Sequence, residues 1–186
     1  MSVIIDGTNG ITTPDLESAG QVLSNGIATS LYPLVSGTAV ASTSGTSIDF
    51  TGIPSWVKRI TVMFSAVSTN GASNVQVQLG AGSVTTSGYN GTSQASTAAG
   101  NSAALSTTGF VLITGAAAAV FSGIAVFTKI TGNTWVGSLS MGQTDSARSM
   151  FTNAHITLSD TLDRIRITTV NGTDTFDAGS INILYE

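Results

Sequence analysis

The sequence predicts an all-β protein, an antiparallel, jelly-roll-like β-sandwich with an extended N-terminal arm. Several segments alternate apolar and polar residues with a period of two, which is typical of strands with one buried face. Gly and Asn residues that form turns separate these segments. No long stretch shows helical periodicity. Short strands at regular intervals are typical of sandwiches and jelly rolls, so we expect the β-domain over residues 37–186 and the arm over residues 1–36.

The arm is rich in turn motifs and poor in large apolar residues. The sequence of residues 14–23 is compatible with a short helix and with an extended chain. Thr13 could cap a helix and Pro14 suits its first turn, whereas Gly20 weakens it. A segment that cannot build its own core has to dock on something else. The candidates for this docking partner are the other copies of the chain in a trimer, a neighbouring subunit and a larger particle.

Five later segments alternate clearly enough to assign their faces. The residues expected to point inward are Ile60, Val62, Phe64 and Ala66; Val75, Val77 and Leu79; Trp135, Leu139 and Met141; Ile165 and Ile167; and Ile181, Ile183 and Tyr185. The residues expected to point outward include Gln76, Gln78, Arg164 and Arg166, and His155 is expected on the polar face of a further strand. The expected turns are Asn70-Gly71, Asn90-Gly91, Gly132-Asn133 and Asn171-Gly172.

One stretch, residues 80–101, has no clear alternation and is long for a hairpin connection. Loops of this length usually carry function or are loosely ordered, so a contact loop and an inert loop both remain open. Tyr89 is its single aromatic residue. We therefore take Tyr89, Asn90 and Thr92 as the candidate residues that face a sugar or a protein partner.

The composition excludes several classes of protein. Charged residues make up 9% of the 186 residues, against about 25% in an average domain, and none lies between Arg59 and Lys129. With 41% apolar residues and a net charge of −4, the chain is not of the disordered class. Six basic residues do not supply a nucleic-acid footprint.

Membrane insertion and thiol chemistry are not expected either. The most apolar window, residues 115–127, is too short to span a bilayer, which takes about 20 residues. The N-terminus resembles no secretory signal. The chain has no cysteine, so thiolate metal sites and disulfides are excluded.

No constellation of residues indicates catalysis, and we assign no catalytic residue, metal or cofactor. The single histidine, His155, has no recognisable partner motif, and no G-x-S-x-G sequence occurs. Asn171, Asp174 and Asp177 supply oxygen ligands but match no calcium-loop pattern. The sequence shows neither an acid pair nor an aromatic platform, one of which a carbohydrate-binding or depolymerising module would need.

Three segments resemble bacteriophage tail-fibre and other virion structural proteins. The opening IDGTNGITTPD resembles a segment found near the start of many such proteins. The stretch SGTSIDFTGIPSWVKRITVMFSAVSTNGASNVQVQLG resembles a β-domain common in phage tail fibres, and the ending DAGSINILYE is similar to the closing strand of that domain.

The resemblance implies a non-enzymatic component of the virion surface, assembled in the bacterial cytoplasm. It implies a homotrimer whose arm docks on tail or major capsid proteins, with host surface glycan as a further candidate partner. The arm residues that carry it are Ile5, Asp6, Gly7, Asn9, Gly10, Ile11 and Pro14. The chain lacks the long shaft and collagen-like repeats of a full tail fibre, so a head fibre or capsid decoration protein is the alternative.

Overall fold

A computed structural model describes residues 21–24, 27–30, 34–117 and 119–186 of the chain. The attachment residues expected between Ile5 and Pro14 lie outside the described residues, as do residues 14–20 of the segment left open between helix and extended chain. Residues 21–23 of that segment belong to a strand.

The described residues contain strands and no helix. In chain order the strands are β1 (Gln21–Ser24), β2 (Ile27–Ser30), β3 (Val35–Ser36), β4 (Val40–Ala41), β5 (Ser47–Thr51), β6 (Arg59–Thr69), β7 (Val75–Ala81), β8 (Ser83–Val84), β9 (Asn90–Thr97), β10 (Gly100–Ser106), β11 (Phe110–Leu112), β12 (Phe121–Thr131), β13 (Thr134–Gln143), β14 (Arg148–Thr157), β15 (Arg164–Thr169) and β16 (Phe176–Tyr185).

The strands from β3 onward form two antiparallel sheets that pack face to face. The larger sheet has the order β10-β9-β14-β13-β12-β6-β16-β3, and β4 also pairs with β16. The smaller sheet has the order β11-β7-β15-β5, and β8 also pairs with β7. The expectation of an all-β, antiparallel sandwich is therefore confirmed. Leu34–Glu186 form one compact unit, and β3, which the sequence analysis places in the arm, pairs with β16 of that unit.

A separate antiparallel hairpin, β1–β2, precedes this unit. A hairpin of two strands is at best marginally stable by itself in water.

The core fills the space between the two sheets. Its largest fully buried side chains are Trp135, Phe110, Phe121, Phe127, Phe176, Ile60, Leu79, Leu112, Leu139, Met150, Ile165 and Ile167. Tyr89, Phe110 and Phe127 form a continuous aromatic chain, with ring centroids 5.4 Å and then 4.8 Å apart in edge-to-face contact. These rings join strands of both sheets, since β11 belongs to the smaller sheet and β12 to the larger.

The predicted faces are correct for most positions. The expected inward residues of β7, β13 and β15 are buried, as are Ile181 and Ile183 of β16, while Tyr185 is half-buried against the core. His155 lies on the exposed face of β14, as expected.

Ala66 is the exception, because it is exposed and the next residue, Val67, is buried instead. The cause is a β-bulge in β6, where Ala66 has a φ of 51° and the register shifts against both neighbouring strands. The Ala66 N–H donates to the Ser122 hydroxyl at 2.9 Å. Gly179 faces the bulge, since an added Cβ there would lie 2.4 Å from the Ala66 carbonyl oxygen. An extra residue in one strand reverses the alternation beyond it.

Two further expectations about local structure are wrong. Asn90-Gly91 is not a turn but the start of β9, and residues 80–101 are not one loop, because they include β8, β9 and the start of β10. Gly91 allows close pairing with β14, since an added Cβ would lie 2.2 Å from the Ala154 Cβ. The other three expected turns connect consecutive strands.

We expect Gly137→Ala to destabilise the domain by about 1–3 kcal/mol, because its new Cβ overpacks the core. That Cβ would lie 2.5 Å from Phe127 Cδ1 and 2.6 Å from Phe110 Cε1. Gly142→Ala in the same strand is the matched control, since nothing lies within 4 Å of a Cβ there. Urea unfolding measures both variants, and equal midpoints for the two would contradict this account of the core.

Candidate functional site

The larger sheet presents one broad face away from the core, which we call the outer face. Two rows of neighbouring Cα partners cross it. One row contains Leu105, Thr92, Asn153, Ser138, Val126, Thr61 and Leu184. The other contains Ala103, Gln94, Phe151, Ser140, Ile124, Met63 and Asn182. Every one of these residues is exposed or half-buried.

Neither row contains a charged side chain. The nearest ion pair, between Arg59 and Glu186, lies beside these rows on β6 and at the end of β16. Burying a charge without a partner costs several kcal/mol, whereas hydroxyl and amide groups can be satisfied by local hydrogen bonds. The outer face can therefore be covered by another protein at a small desolvation cost.

An apolar stripe, defined by Phe151, Ile124 and Met63, crosses the middle of the outer face. Phe151 is 45% exposed and Ile124 is 48% exposed, and both are Cα partners of Ser140, which lies between them. Met63 is the next residue in the row. Exposed apolar clusters with polar surroundings are typical of protein interaction surfaces. This stripe is not among the residues predicted from the sequence, although large apolar residues at the polar positions of alternating strands are its signal.

The outer face also contains two of the three residues expected to form a contact loop. Asn90 is the Cα partner of His155, and Thr92 is the partner of Asn153. Both side chains are exposed. They belong to a regular strand in the interior of the sheet rather than to a loop.

The expectation that Tyr89 faces a partner is wrong, because its side chain is only 3% exposed. It precedes β9 and lies in the core, on the opposite side from Asn90. Its hydroxyl receives a hydrogen bond from the Leu79 N–H at 2.8 Å and lies 3.0 Å from the Thr85 carbonyl oxygen, to which it donates. Strand β11 pairs with β7 only from Val75 to Val77. The Tyr89 hydroxyl thus supplies a hydrogen-bond partner to the backbone of β7 at a point where β11 no longer pairs with it.

The smaller sheet has a different outer surface, a polar cleft of about 310 Å³. Its lining is made mainly of hydroxyl and amide side chains: Thr46, Ser47, Gln76, Gln78, Thr86, Thr108, Thr168, Thr169 and Asn171, together with Arg166, Val170 and Gly172. Arg166 is held by Asp49 through two hydrogen bonds, of 2.7 Å and 2.9 Å. The bond to the Asp49 carboxylate raises the pKa of Arg166. None of the described residues that line the cleft is aromatic.

Gln76 and Gln78 point to the outer side of β7, as expected, but they are 3% and 4% exposed rather than solvated. Thr108 explains this difference because it lies over both amides. Its hydroxyl donates to Gln76 Oε1 at 2.8 Å, and its carbonyl oxygen accepts from Gln78 Nε2 at 2.8 Å. Buried amides that are hydrogen-bonded in this way are held in one orientation.

The acidic residues considered as oxygen ligands join turns to strands. Asp174 accepts hydrogen bonds from Asn171 Nδ2 at 2.7 Å and from the Ser73 N–H at 2.9 Å, and these bonds lower the pKa of its carboxyl group. Asp177 accepts from the Ser68 hydroxyl at 2.7 Å. The described residues contain no group of three or more His, Cys, Asp or Glu side chains placed to hold a metal ion. In the same part of the chain, no helix could cross a membrane.

We expect Tyr89→Phe to lower the free energy of unfolding by about 1–3 kcal/mol, since it leaves the buried Leu79 N–H of β7 without its hydrogen-bond acceptor. Tyr185→Phe, at a half-buried tyrosine, is the matched control. Denaturant unfolding at neutral pH separates the two, and an equal loss in both variants would contradict the role given to the Tyr89 hydroxyl.

The same hydroxyl predicts a dependence on alkaline pH. Burial raises the pKa of Tyr89 above its ordinary value, so the folded protein keeps a proton that the unfolded chain loses at about pH 10. The free energy of unfolding should therefore fall as the pH rises above about 10. The fall should be smaller in Tyr89→Phe than in Tyr185→Phe. Identical slopes of the free energy of unfolding against pH for the two variants, measured between pH 9 and 11, would contradict this prediction.

The outer face and the polar cleft are two surfaces of the described residues that can carry a function. Comparison of the chain with protein-family models, with curated proteins and with solved structures finds no match. The function must therefore be inferred from the chemistry of these two surfaces, together with the sequence resemblance.

Proposed function

We propose that the chain is a non-enzymatic structural component of a bacteriophage virion. It is a short trimeric fibre whose N-terminal arm docks on the particle and whose β-domain is exposed for contact with the host or with other subunits. The observation that carries the proposal is the outer face, on which two neighbouring rows contain no charged side chain and an apolar stripe lies at the centre. The arm, the trimer and the virion come from the sequence resemblance.

The composition of the outer face supports a permanent assembly. Apolar residues at its centre provide the hydrophobic gain on association, and the surrounding Ser, Thr, Asn and Gln residues can form hydrogen bonds across an interface. Contacts of this kind depend little on salt, because no ion pair has to survive screening. A shallow depression of about 170 Å³ between β12, β13 and β14 gives the face relief into which a side chain of a neighbouring subunit can fit.

The division of the chain supports an arm that acts separately from the domain. Leu34–Glu186 form a compact unit with its own core, so the domain does not need the arm to bury its apolar residues. In this proposal the arm has the separate role of binding tail or capsid proteins.

The alternative within the same class is a head fibre or capsid decoration protein. Such a protein could also use the outer face for contact with subunits and the arm for docking on the particle. The polar cleft could accept hydroxyl groups of a host glycan, but its lining, as far as the structure describes it, contains no aromatic side chain. Aromatic rings supply much of the contact area and energy at binding surfaces. A carbohydrate-binding module is therefore the less favoured function.

We expect Ile124→Lys to weaken association of the subunits by at least about tenfold, because a charge without a partner would be buried in the interface. Val170→Lys is the matched control, since Val170 is an equally exposed apolar residue, 47% against 48%, in a turn away from the outer face. Light scattering after size exclusion gives the mass of each. A trimer that persists in Ile124→Lys at low micromolar concentration would contradict the assignment of the outer face.

We expect deletion of residues 2–14 to leave a folded trimer that no longer joins particles, because it removes the attachment segment and leaves the core of Leu34–Glu186 intact. Circular dichroism and mass measurement establish the folded trimer. Particles are then assembled in cells that supply only the shortened chain. A blot of the purified particles measures whether the shortened chain is absent from them. Incorporation of the shortened chain at the level of the full chain would overturn the docking role.

A further inference from the structure

Strand β10 (Gly100–Ser106) forms one margin of the larger sheet and pairs only with β9. Its first six residues, from Gly100 to Leu105, are all exposed. In a strand covered on one face every second residue would be buried, so this pattern shows that the smaller sheet does not reach β10. Leu105 is 77% exposed, the highest value of any large apolar residue described.

The open side of β10 carries backbone groups with no partner in its own sheet. Thr97 and Gly100 are the pair that closes the β9–β10 hairpin, and in a two-residue hairpin that closing pair is hydrogen-bonded. Because hydrogen-bonded and non-hydrogen-bonded pairs alternate in antiparallel sheets, Asn101, Ala103 and Leu105 direct their N–H and C=O groups away from β9.

Strand β10 also lacks the devices that normally protect an edge. Charged side chains, prolines, bulges and very short length all prevent an edge strand from pairing with another chain. β10 contains no charge and no proline, and its register with β9 has no bulge.

The other edges of the two packed sheets are protected. Strands β3, β4 and β8 have two residues each, and β11 has three. β5 has five residues and carries Asp49 in its ion pair with Arg166. Among the edges of the two packed sheets, as far as the structure describes them, β10 alone is both long and uncharged.

We propose that β10 pairs antiparallel with β10 of a second copy of this chain, about a two-fold axis at Ala103. Ala103 then faces Ala103 of the second copy, and Asn101 faces Leu105 of the second copy. In this register the outward N–H and C=O groups of Asn101, Ala103 and Leu105 bond to the same groups of the second copy. These three pairs of residues give about six hydrogen bonds.

The second copy is the occupant that matches this edge. No other edge strand of the packed sheets is as long as the seven residues of β10, so only β10 itself can pair along the whole length. Two-fold symmetry places each residue near its own copy, and a charge near the axis would meet a like charge. β10 has none. The pairing also joins the outer faces of two copies into one continuous surface. It rests on β10 alone and does not depend on the proposed function.

Cysteine cross-linking tests the register directly, because the chain has no cysteine of its own. In Ala103→Cys the two Cα atoms would be about 5.5 Å apart, within the range for a disulfide. The matched control is Val170→Cys, an exposed position in a turn away from the outer face. After mild oxidation of the full-length variants, we expect a disulfide-linked dimer of Ala103→Cys and none of Val170→Cys on a non-reducing gel. Equal cross-linking of the two variants would overturn the proposal.

Charge substitution at the axis provides a second measurement. We expect Ala103→Lys and Ala103→Glu each to have at most half the mass of the wild-type assembly in solution, because like charges would face each other. Mixing the two variants should restore the wild-type mass. A wild-type mass in either single variant, or no recovery on mixing, would overturn the proposal.

Failure of this pairing is distinguishable from failure of the proposed trimer. If both contacts exist, Ile124→Lys leaves a dimer, and this dimer cross-links through Ala103→Cys. Because Ala103 also lies in a row of the outer face, a lower mass of Ala103→Lys supports the pairing only together with that cross-link. If only the β10 pairing exists, the wild-type protein is a dimer and Ala103→Lys is a monomer. A wild-type trimer whose mass Ala103→Lys does not change refutes the pairing and leaves the proposed function untouched.

Discussion

The register between antiparallel strands is the constraint on which the rest of this structure depends. Side chains alternate between the two faces of a sheet, so a slip by one residue would exchange the core with the surface. The aromatic chain from Tyr89 through Phe110 to Phe127 anchors both sheets to one another and makes such a slip costly. The same alternation that buries this chain places Asn90 and Thr92 on the outer face.

The surfaces that can carry function differ because their surroundings differ. On the larger sheet no described residue of Leu34–Glu186 covers the outer face, so within this unit its hydroxyl, amide and apolar groups are not covered. On the smaller sheet Thr108 lies over Gln76 and Gln78, and Asp49 holds Arg166, so most polar groups already have partners within the domain. The two weakly charged surfaces thus differ: one is an exposed sheet face, and the other is a cleft whose polar groups are bonded within the domain.

Much of the fold could be predicted because each strand carries its own periodic pattern. The buried positions of β7, β13 and β15 follow from local alternation alone. The pattern fails where a contact with another strand decides the backbone. The bulge at Ala66 needs Ser122 and Gly179 beside it, and Gly91 belongs to a strand because it lies against Ala154. An Asn-Gly pair predicts a turn from sequence alone. The sequence does not show that the glycine is needed instead for the close approach of a neighbouring strand.

The sequence by itself determined the class of the fold, most of the inward-facing residues and the absence of charged residues between Arg59 and Lys129. These properties are local or compositional, so one chain read in order contains them. Only the tertiary structure decided that Tyr89 is buried, that Phe151 and Ile124 lie on either side of Ser140, and that β10 is an open edge. Each of these depends on which strands become neighbours, and pairing between distant segments is set by the packing of the whole core.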